Sequence, residues 1–509
     1  MRFNQLRFKL ASFRLDRTIS QRRFSIVEAS LLLMSAYIAS RGLGVVRQTM
    51  FNALFGTGSE ANAFYAAVQL PDTLFNLIAG GALTYAFIPV FISHEQENGQ
   101  REAWRLASLV FNVLLVVLTA LTLLGEWLAP IFVNHLLVPG YSSSEQTLVT
   151  TLTRIMLVQP LILGLGTVAT AILSSKRQFL LPALSIAVYN FGLIGGLLFS
   201  LALPRVGIYG PTYGILAAAV CQVLIQVPGL SKEGLRYSFI WDLKNKGLHE
   251  VMRLLIPNTL AVGISSSGAI LSTAYVSYLP DKTSLGALHN AQLLFALPVA
   301  LLAQAVGQAA IPRMAQLAAN ARYVHLRLLM LRVIGASFLI SVPCTLVLYV
   351  FGKAAIHLLF QHGAFTEHST ALTSLALLGY AVGLPASITF ELVVRGFYSL
   401  KDAHTPLFVD ILALAARFGL IYFLLRIIAG PSVILAIPLA TSVIATAQTI
   451  LLFLLLVLRL QEKVKADKGL ERMKRMRSRN RKGRTGWLIN EQERGEAGIE
   501  GEKPYPVEF

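Results

Sequence analysis

The chain has 509 residues, of which 55% are hydrophobic and 14% charged, yet its formal net charge is +18. Soluble domains usually contain about 25% charged residues. The composition, with only two cysteines, excludes a disordered chain, a disulfide-stapled secreted domain and a typical soluble enzyme, and it indicates a polytopic membrane protein.

The excess positive charge is concentrated towards the two ends of the chain. Residues 1–24 contain seven basic groups and one acid, and residues 459–484 contain twelve basic groups and three acids. We interpret residues 1–24 as a basic cytoplasmic N-terminal arm and residues 459–509 as a charged cytoplasmic tail, of which 459–484 is the basic part. Beside membrane spans, such charge fixes topology and contacts anionic lipids, so we expect no nucleic-acid partner.

Apolar stretches long enough to cross a bilayer as helices, about 20 residues each, occur twelve times. The predicted spans are 27–54, 62–92, 106–133, 147–174, 179–203, 208–230, 248–278, 285–312, 324–351, 368–395, 406–427 and 432–458. With the N-terminus in the cytoplasm, 15 basic residues lie in the inner loops or towards the inner ends of the adjoining spans, and only three lie in the outer loops (Arg205, Lys282 and Lys353). This bias predicts a multi-pass membrane protein with both termini in the cytoplasm.

The predicted spans fall into two similar halves. Residues 82–89 and 305–312 both read A-x-x-x-A-x-I-P, at equivalent ends of the second and eighth spans. We therefore predict an all-α protein of two six-helix lobes, 25–230 and 248–458, related by a parallel repeat and joined by a cytoplasmic loop, 231–247. Such lobes enclose a central cavity and transport by alternating access.

Ionisable residues in the first two spans are candidates for function, because charge within a membrane is costly. Arg41 and Arg47 lie in the first span, where two guanidinium groups suit binding of a phosphate or diphosphate. Arg47 could instead extend to the interface or pair with Asp72. Asp72 follows Pro71 and is either a proton or sodium site or the structural partner of an arginine.

Further polar residues are candidates for lining the cavity or for ion coupling. These are Asn76, Gln292, Glu391 and Asp410. Glu391 can pair with Arg395 four residues later, and Asp410 and Arg417 share one helix face, where they either line the cavity or brace it. The sequence contains no nucleotide-binding or hydrolase motif, and we expect no catalytic residue, metal or cofactor.

Several motifs resemble, in order and spacing, the MurJ (MviN) family of lipid II flippases. They lie at 40–47, 55–64, 70–71, 81–89, 172–190, 359–366, 380–384 and 395–406. The resemblance covers about residues 27–458. It implies a transporter of the multidrug/oligosaccharidyl-lipid/polysaccharide superfamily that moves an undecaprenyl-diphosphate-linked disaccharide pentapeptide to the outer leaflet. It also implies that Arg41 and Arg47 bind the diphosphate and that ion gradients or membrane potential drive transport.

The chain departs from the family pattern at cavity positions. Phe75 and Asn76 stand where members carry a basic pair, and Leu293 stands where they carry an arginine. Positions that are often acidic are here Asn62 and Gly80. We therefore expect a less cationic cavity. Members commonly have fourteen spans, and we expect the last two to be absent because charged sequence follows residue 458.

Three alternatives to a lipid II flippase remain open. The first is a flippase for another polyprenyl-diphosphate-linked oligosaccharide, such as an O-antigen or exopolysaccharide unit. The second is a drug or cation antiporter, which would need a cavity rich in carboxylates. The third is a non-transporting scaffold whose tail recruits the cell-wall synthesis machinery.

Overall fold

The computed structural model describes residues 26–78, 82–176, 178–400, 402 and 404–496. All regular secondary structure in these ranges is helical. The α-helices are α1 (Ile26–Phe55), α2 (Ser59–Ala67), α3 (Gln69–Ile78), α4 (Ala82–Phe132), α5 (Ser143–Met156), α6 (Val158–Ser175), α7 (Leu180–Ala202), α8 (Tyr209–Leu224), α9 (Val227–Lys232), α10 (Lys246–Ser277), α11 (Ser284–Ala319), α12 (Tyr323–Phe360), α13 (Glu367–Ala381), α14 (Leu384–Ser399), α15 (His404–Ile427) and α16 (Ala436–Glu496). The predicted arm 1–24 and the last thirteen residues of the tail lie outside the described residues.

The described residues of each predicted span lie in one helix or in helices that follow one another along the chain. By length and composition, eight helices of the described chain can cross a membrane, or nine if the pair α13 and α14, bent by 48°, counts as one. The helices form two lobes, α1–α9 and α10–α16, which we call the N-lobe and the C-lobe. The predicted all-helical, two-lobe fold class is confirmed.

Local sequence explains where several helices break or begin. α2 ends at Ala67 and α3 begins at Gln69, so Pro71 falls in the first turn of a new helix, where its missing N–H costs little. α4 turns at Gly99, whose φ of 82° strongly favours glycine. α5 begins with a capping box, in which Ser142 and Glu145 each bond the other's backbone N–H.

The first half of α10 packs against the N-lobe. Leu248, Val251 and Leu255 belong to a buried apolar cluster formed mainly by α4 and α6. The preceding linker, residues 233–245, follows the surface of α4, where Asn112 Nδ2 donates to Ile240 O (3.0 Å) and Tyr237 Oη donates to Asn112 Oδ1 (2.8 Å). The connection between the lobes is therefore fixed to the N-lobe before it enters the C-lobe.

The loops are grouped at two ends, as the charge pattern predicts. At the end that carries the linker, which we call the linker end, Lys176 pairs with Glu95, and Gln100 donates to the backbone oxygen of Glu233 (3.2 Å). At the opposite end, which we call the closed end, Gly140 N donates to Ser277 Oγ (3.0 Å). Loops that belong to one predicted side of the membrane thus meet at one end of the molecule.

α16 continues from the last predicted span into the charged tail and ends at Glu496. Arg459, where the predicted tail begins, lies 3.7 Å from Asp402 in the loop before α15. Burial alone would raise the pKa of the Asp402 carboxyl, but hydrogen bonds from the backbone and side chain of Thr405, together with the charge of Arg459, hold that pKa below its usual value. The start of the tail is therefore attached to the C-lobe.

Candidate functional site

The two first-span arginines occupy different environments on α1. Asn190 of α7 donates to Ser40 Oγ (2.8 Å), which fixes the helix just before Arg41. The Arg41 side chain is exposed, and a Cβ at Gly42 or Gly44 would meet no atom of the described residues within 4 Å. Arg47 is half-buried and close enough to Asp72 for the two charges to interact. Arg41 therefore lies beside open space, whereas Arg47 faces the interior.

Asp72 has a neutral partner. Gln159 Nε2 donates to Asp72 Oδ1 (3.4 Å) and to Tyr189 Oη (3.1 Å). In the described part of the chain, Arg47 and Asp72 do not form an ion pair within 4.0 Å. Although Gln159 is buried, the Asp72 side chain is exposed. The carboxylate is therefore available to water or to a ligand as well as to the nearby guanidinium.

Four buried polar residues connect the two lobes, and we call them the inter-lobe amide cluster: Gln48, Asn52, Tyr65 and Asn290. Asn290 Oδ1 of the C-lobe accepts from Gln48 Nε2 (3.0 Å) and from Asn52 Nδ2 (2.7 Å), and Asn290 Nδ2 donates to Asn52 Oδ1 (3.2 Å). The Tyr65 ring stacks on His289, with centroids 4.0 Å apart. These groups satisfy one another without any formal charge.

Asn62 makes a second connection between the lobes. Its Oδ1 accepts from Gly286 N (2.6 Å) and its Nδ2 donates to the backbone oxygen of Lys282. An ionised carboxylate at this position could accept but could not donate. The amide of Asn62 therefore fits both of these backbone contacts.

At the closed end the lobes also touch through their backbones. Ala364 N of the C-lobe donates to Ala53 O of the N-lobe (2.9 Å). Gly56 and Gly363, with φ of 59° and 58°, flank this bond, and a Cβ on either would overlap the opposing backbone. Glycine is thus required here both by conformation and by the close approach of the two lobes.

A polar cavity of about 250 Å³ lies between the lobes, beside the amide cluster. Its polar lining includes Tyr65, Gln69, His289, Gln292 and Arg417. A second cavity of about 200 Å³ shares Arg417 and Thr441 with the first and extends between α15 and α16 to Asp410 and Gln448. The two cavities therefore form a polar path from the lobe interface into the C-lobe.

The structure brings some of the candidate residues together and not others. Gln292 and Asp410 line the cavities, and Gln448 donates to Asp410 Oδ1. Glu391 lies 3.7 Å from Arg395 on the same helix and lines neither of the two cavities. Asn76 is exposed on α3 and likewise lines neither of them.

The main residues that sequence reasoning missed are Gln48, Asn52 and Gln159. Gln48 and Asn52 lie four residues apart, on one face of an apolar helix, and this spacing marks a polar face in a membrane span. Gln159 precedes Pro160 in a long apolar stretch and carries no comparable pattern. Its contact with Asp72 depends on how α6 packs against α3, which the sequence does not indicate.

The sequence and the fold both match known transporters. A family model described as "Lipid II flippase MurJ" matches residues 51–474. The lipid II flippase MurJ of Burkholderia cenocepacia is 28% identical over 389 residues, which are 75% of each chain. A solved lipid II flippase MurJ in an inward closed conformation superposes with a TM-score of 0.71 at 23% identity, covering 83% of this chain and 87% of that one.

A second solved structure shares the fold outside that family. An inward-facing multidrug resistance MATE family transporter superposes with a TM-score of 0.70 at 14% identity, covering 86% of this chain and 99% of that one. This likeness concerns the fold alone, whereas the family model covers most of the sequence. The chain therefore belongs to the lipid II flippase MurJ family.

Proposed function

We propose that this multi-pass protein of the bacterial inner membrane moves lipid II from the inner to the outer leaflet by alternating access of its two lobes. The transported molecule is the undecaprenyl-diphosphate-linked disaccharide pentapeptide used for peptidoglycan. The observation that carries the proposal is the family match over residues 51–474, on a fold whose polar inter-lobe cavity is closed at one end. An ion gradient or the membrane potential supplies the energy.

Both termini lie in the cytoplasm in this proposal. The excess of basic residues in the loops on the linker side supports it. The linker end then faces the cytoplasm, and the closed end faces the outside. The arrangement of the lobes corresponds to the state in which access from the outer side is blocked.

In this proposal three charged residues of the N-lobe act in the transport cycle. Arg41 and Arg47 bind the diphosphate, and Asp72 is a candidate for coupling transport to an ion. Arg41 is suited to first contact, because it is exposed, and Arg47 to later steps, because it lies inside. The basic arm and tail bind anionic membrane lipids, and the tail is also a candidate contact for the cell-wall synthesis machinery.

Complementation tests the function directly. We expect the wild-type chain to restore cell-surface lipid II in cells depleted of their own flippase, and Arg41→Ala to abolish this rescue while membrane abundance is unchanged. Arg205→Ala is the control, since Arg205 is also exposed but lies in a 3₁₀ turn between α7 and α8. Normal rescue by Arg41→Ala would contradict the role of this arginine as an anion ligand.

The same assay distinguishes a second substrate class. If the wild-type chain failed to restore surface lipid II but rescued a mutant defective in glycan-polymer export, another polyprenyl-diphosphate-linked oligosaccharide would be the substrate. The diphosphate site would be shared between the two functions, whereas the sugar-facing residues of the cavity would differ.

A further inference from the structure

Arg417 in the C-lobe occupies an unusual position for a cation. It lies near the middle of α15, is half-buried, and lines both the inter-lobe cavity and the cavity between α15 and α16. Its guanidinium is therefore placed at the junction of two polar spaces. A charge held at such a depth normally has a partner or a function.

Few groups of the protein compensate the positive charge of Arg417. In the described chain no carboxylate lies within 4.0 Å of its guanidinium, and its buried Nε has no hydrogen-bond partner. Asp410, two turns earlier on the same face, accepts instead from Gln448. The contact that Arg417 does make is with an aromatic ring, because its Cζ lies 5.6 Å from the centre of the Phe418 ring.

Neighbouring residues direct the guanidinium into the cavity. A Cβ on Gly268 of α10 would overlap Arg417 Nη2, so the absence of a side chain there provides the space that the guanidinium occupies. The Phe418 ring that Arg417 contacts is itself stacked on Tyr275 of α10, with an interplanar angle of 14°. The position of the cation is therefore set by the packing of α10 against α15.

The surroundings of this cation match an anionic ligand. Gln69, Thr273 and Gln292 line the same cavity, and the buried Oε1 of Gln69 lacks a partner among the described residues. Together the two adjoining cavities reach the size range of ligand pockets, about 300–1,000 Å³. An arginine fork binds carboxylate and phosphate oxygens in a bidentate manner.

We propose that Arg417 is the C-lobe subsite for an oxyanion of the transported lipid. This assignment rests on the proposed function, and it adds one substrate-binding cation in the C-lobe, Arg417, to Arg41 and Arg47 of the N-lobe. The oxyanion belongs either to the diphosphate or to the carboxylates of the peptide. Both are present in lipid II, and binding measurements distinguish between them.

The test measures lipid binding to the full-length protein in nanodiscs of neutral phosphatidylcholine. The two probes are undecaprenyl diphosphate, which lacks sugar and peptide, and lipid II. We expect Arg417→Gln to weaken binding of lipid II by about tenfold or more, because a hydrogen bond to a charged group is lost. Arg426→Gln is the matched control, since Arg426 is exposed at the end of the same helix and donates to Tyr422.

A second variant keeps the test decisive if Arg417→Gln does not fold. Gly268→Ala retains the arginine but displaces its guanidinium, and we expect it to weaken binding in the same direction. Each variant is compared with the wild type by thermal unfolding, so that loss of binding is separated from loss of structure. Arg417→Lys should retain part of the affinity, because it keeps the charge but loses the fork.

Each outcome has a defined meaning. Weaker binding of both probes assigns Arg417 to the diphosphate, and weaker binding of lipid II alone assigns it to the peptide carboxylates. If the wild type binds both probes and folded Arg417→Gln binds them equally well, the subsite is refuted and Arg417 only braces α15. If the wild type binds neither probe, the proposed function itself fails, and this assignment fails with it.

Discussion

Asn290 is the residue whose removal should most directly open the closed end. Its side chain makes three hydrogen bonds across the lobes, one with Gln48 (3.0 Å) and two with Asn52 (2.7 and 3.2 Å). A neutral hydrogen bond contributes about 0.5–1.5 kcal/mol net, so Asn290→Ala should remove about 1.5–4.5 kcal/mol from the closed arrangement. In an open arrangement water bonds the same groups, and the loss there is small.

That energy difference has a measurable effect on populations. Since about 1.4 kcal/mol is a factor of ten in an equilibrium constant, the ratio of closed to open molecules should fall on the order of tenfold to a thousandfold. Ser144 and Tyr278 are exposed residues of opposite lobes at the closed end. Spin labels at these two positions can report the separation of the lobes by double electron–electron resonance in nanodiscs. The native Cys221 and Cys344 must first be replaced.

The expected result is a second population at longer label separation in Asn290→Ala. Asn320→Ala provides the control, because Asn320 is exposed at the opposite end of the same helix. If the distance distribution of Asn290→Ala matched those of the wild type and the control, the amide cluster would not stabilise the closed arrangement, and the reasoning from these three bonds would be refuted.

Two further predictions concern stability. Gly363→Ala should lower the thermal unfolding midpoint more than Gly207→Ala. Both glycines have positive φ, which costs an alanine about 1–2 kcal/mol, but only Gly363 faces the backbone of Ala53. Equal shifts of the two midpoints would show that the close approach to Ala53 is unimportant. Asp402→Asn should lower the midpoint at neutral pH. The pKa of Asp402 is lower in the folded protein than in the unfolded chain. The contribution of its carboxylate to the free energy of unfolding is therefore complete above the unfolded pKa of about 4, and it disappears as the pH falls through the pKa of the folded protein. The difference between wild type and variant should therefore shrink below about pH 4, and a difference independent of pH would contradict the assignment.

The sequence was sufficient for most of the fold, because the bilayer imposes a local constraint. Every backbone group within the hydrocarbon must be bonded internally, so a stretch of about 20 apolar residues specifies a helix wherever it occurs. Loop charge then predicts the side on which each connection lies. The contacts of Gln100 with Glu233 and of Gly140 with Ser277 occur between loops that these rules group together.

The site was harder to predict, because hydropathy does not determine which helix faces meet. Asn52 and Asn290 are 238 residues apart, and nothing local links them. Asp72 illustrates the same limit, because the sequence offered Arg47 as its structural partner, whereas the hydrogen bond it accepts comes from Gln159 on α6. Arg417 could be placed on a face with Asp410, but its position between two cavities depends on how α10 packs against α15.

The chemistry of the closed end bears on whether a transport cycle can reverse it. Each ion pair seen among the described residues lies within one lobe, and the lobes are held mainly by amides, hydroxyls and backbone groups, such as Thr57 with Ser369 (2.8 Å). One charged group also takes part, the Lys282 ammonium, which lies 3.5 Å from Gly140 O. Breaking a buried ion pair strands charge and costs about 3–5 kcal/mol, whereas a neutral bond exposed to water loses about 1 kcal/mol. A closure made mainly of neutral groups is thus stable through their number, and its separate bonds can be exchanged for water one at a time as the lobes part.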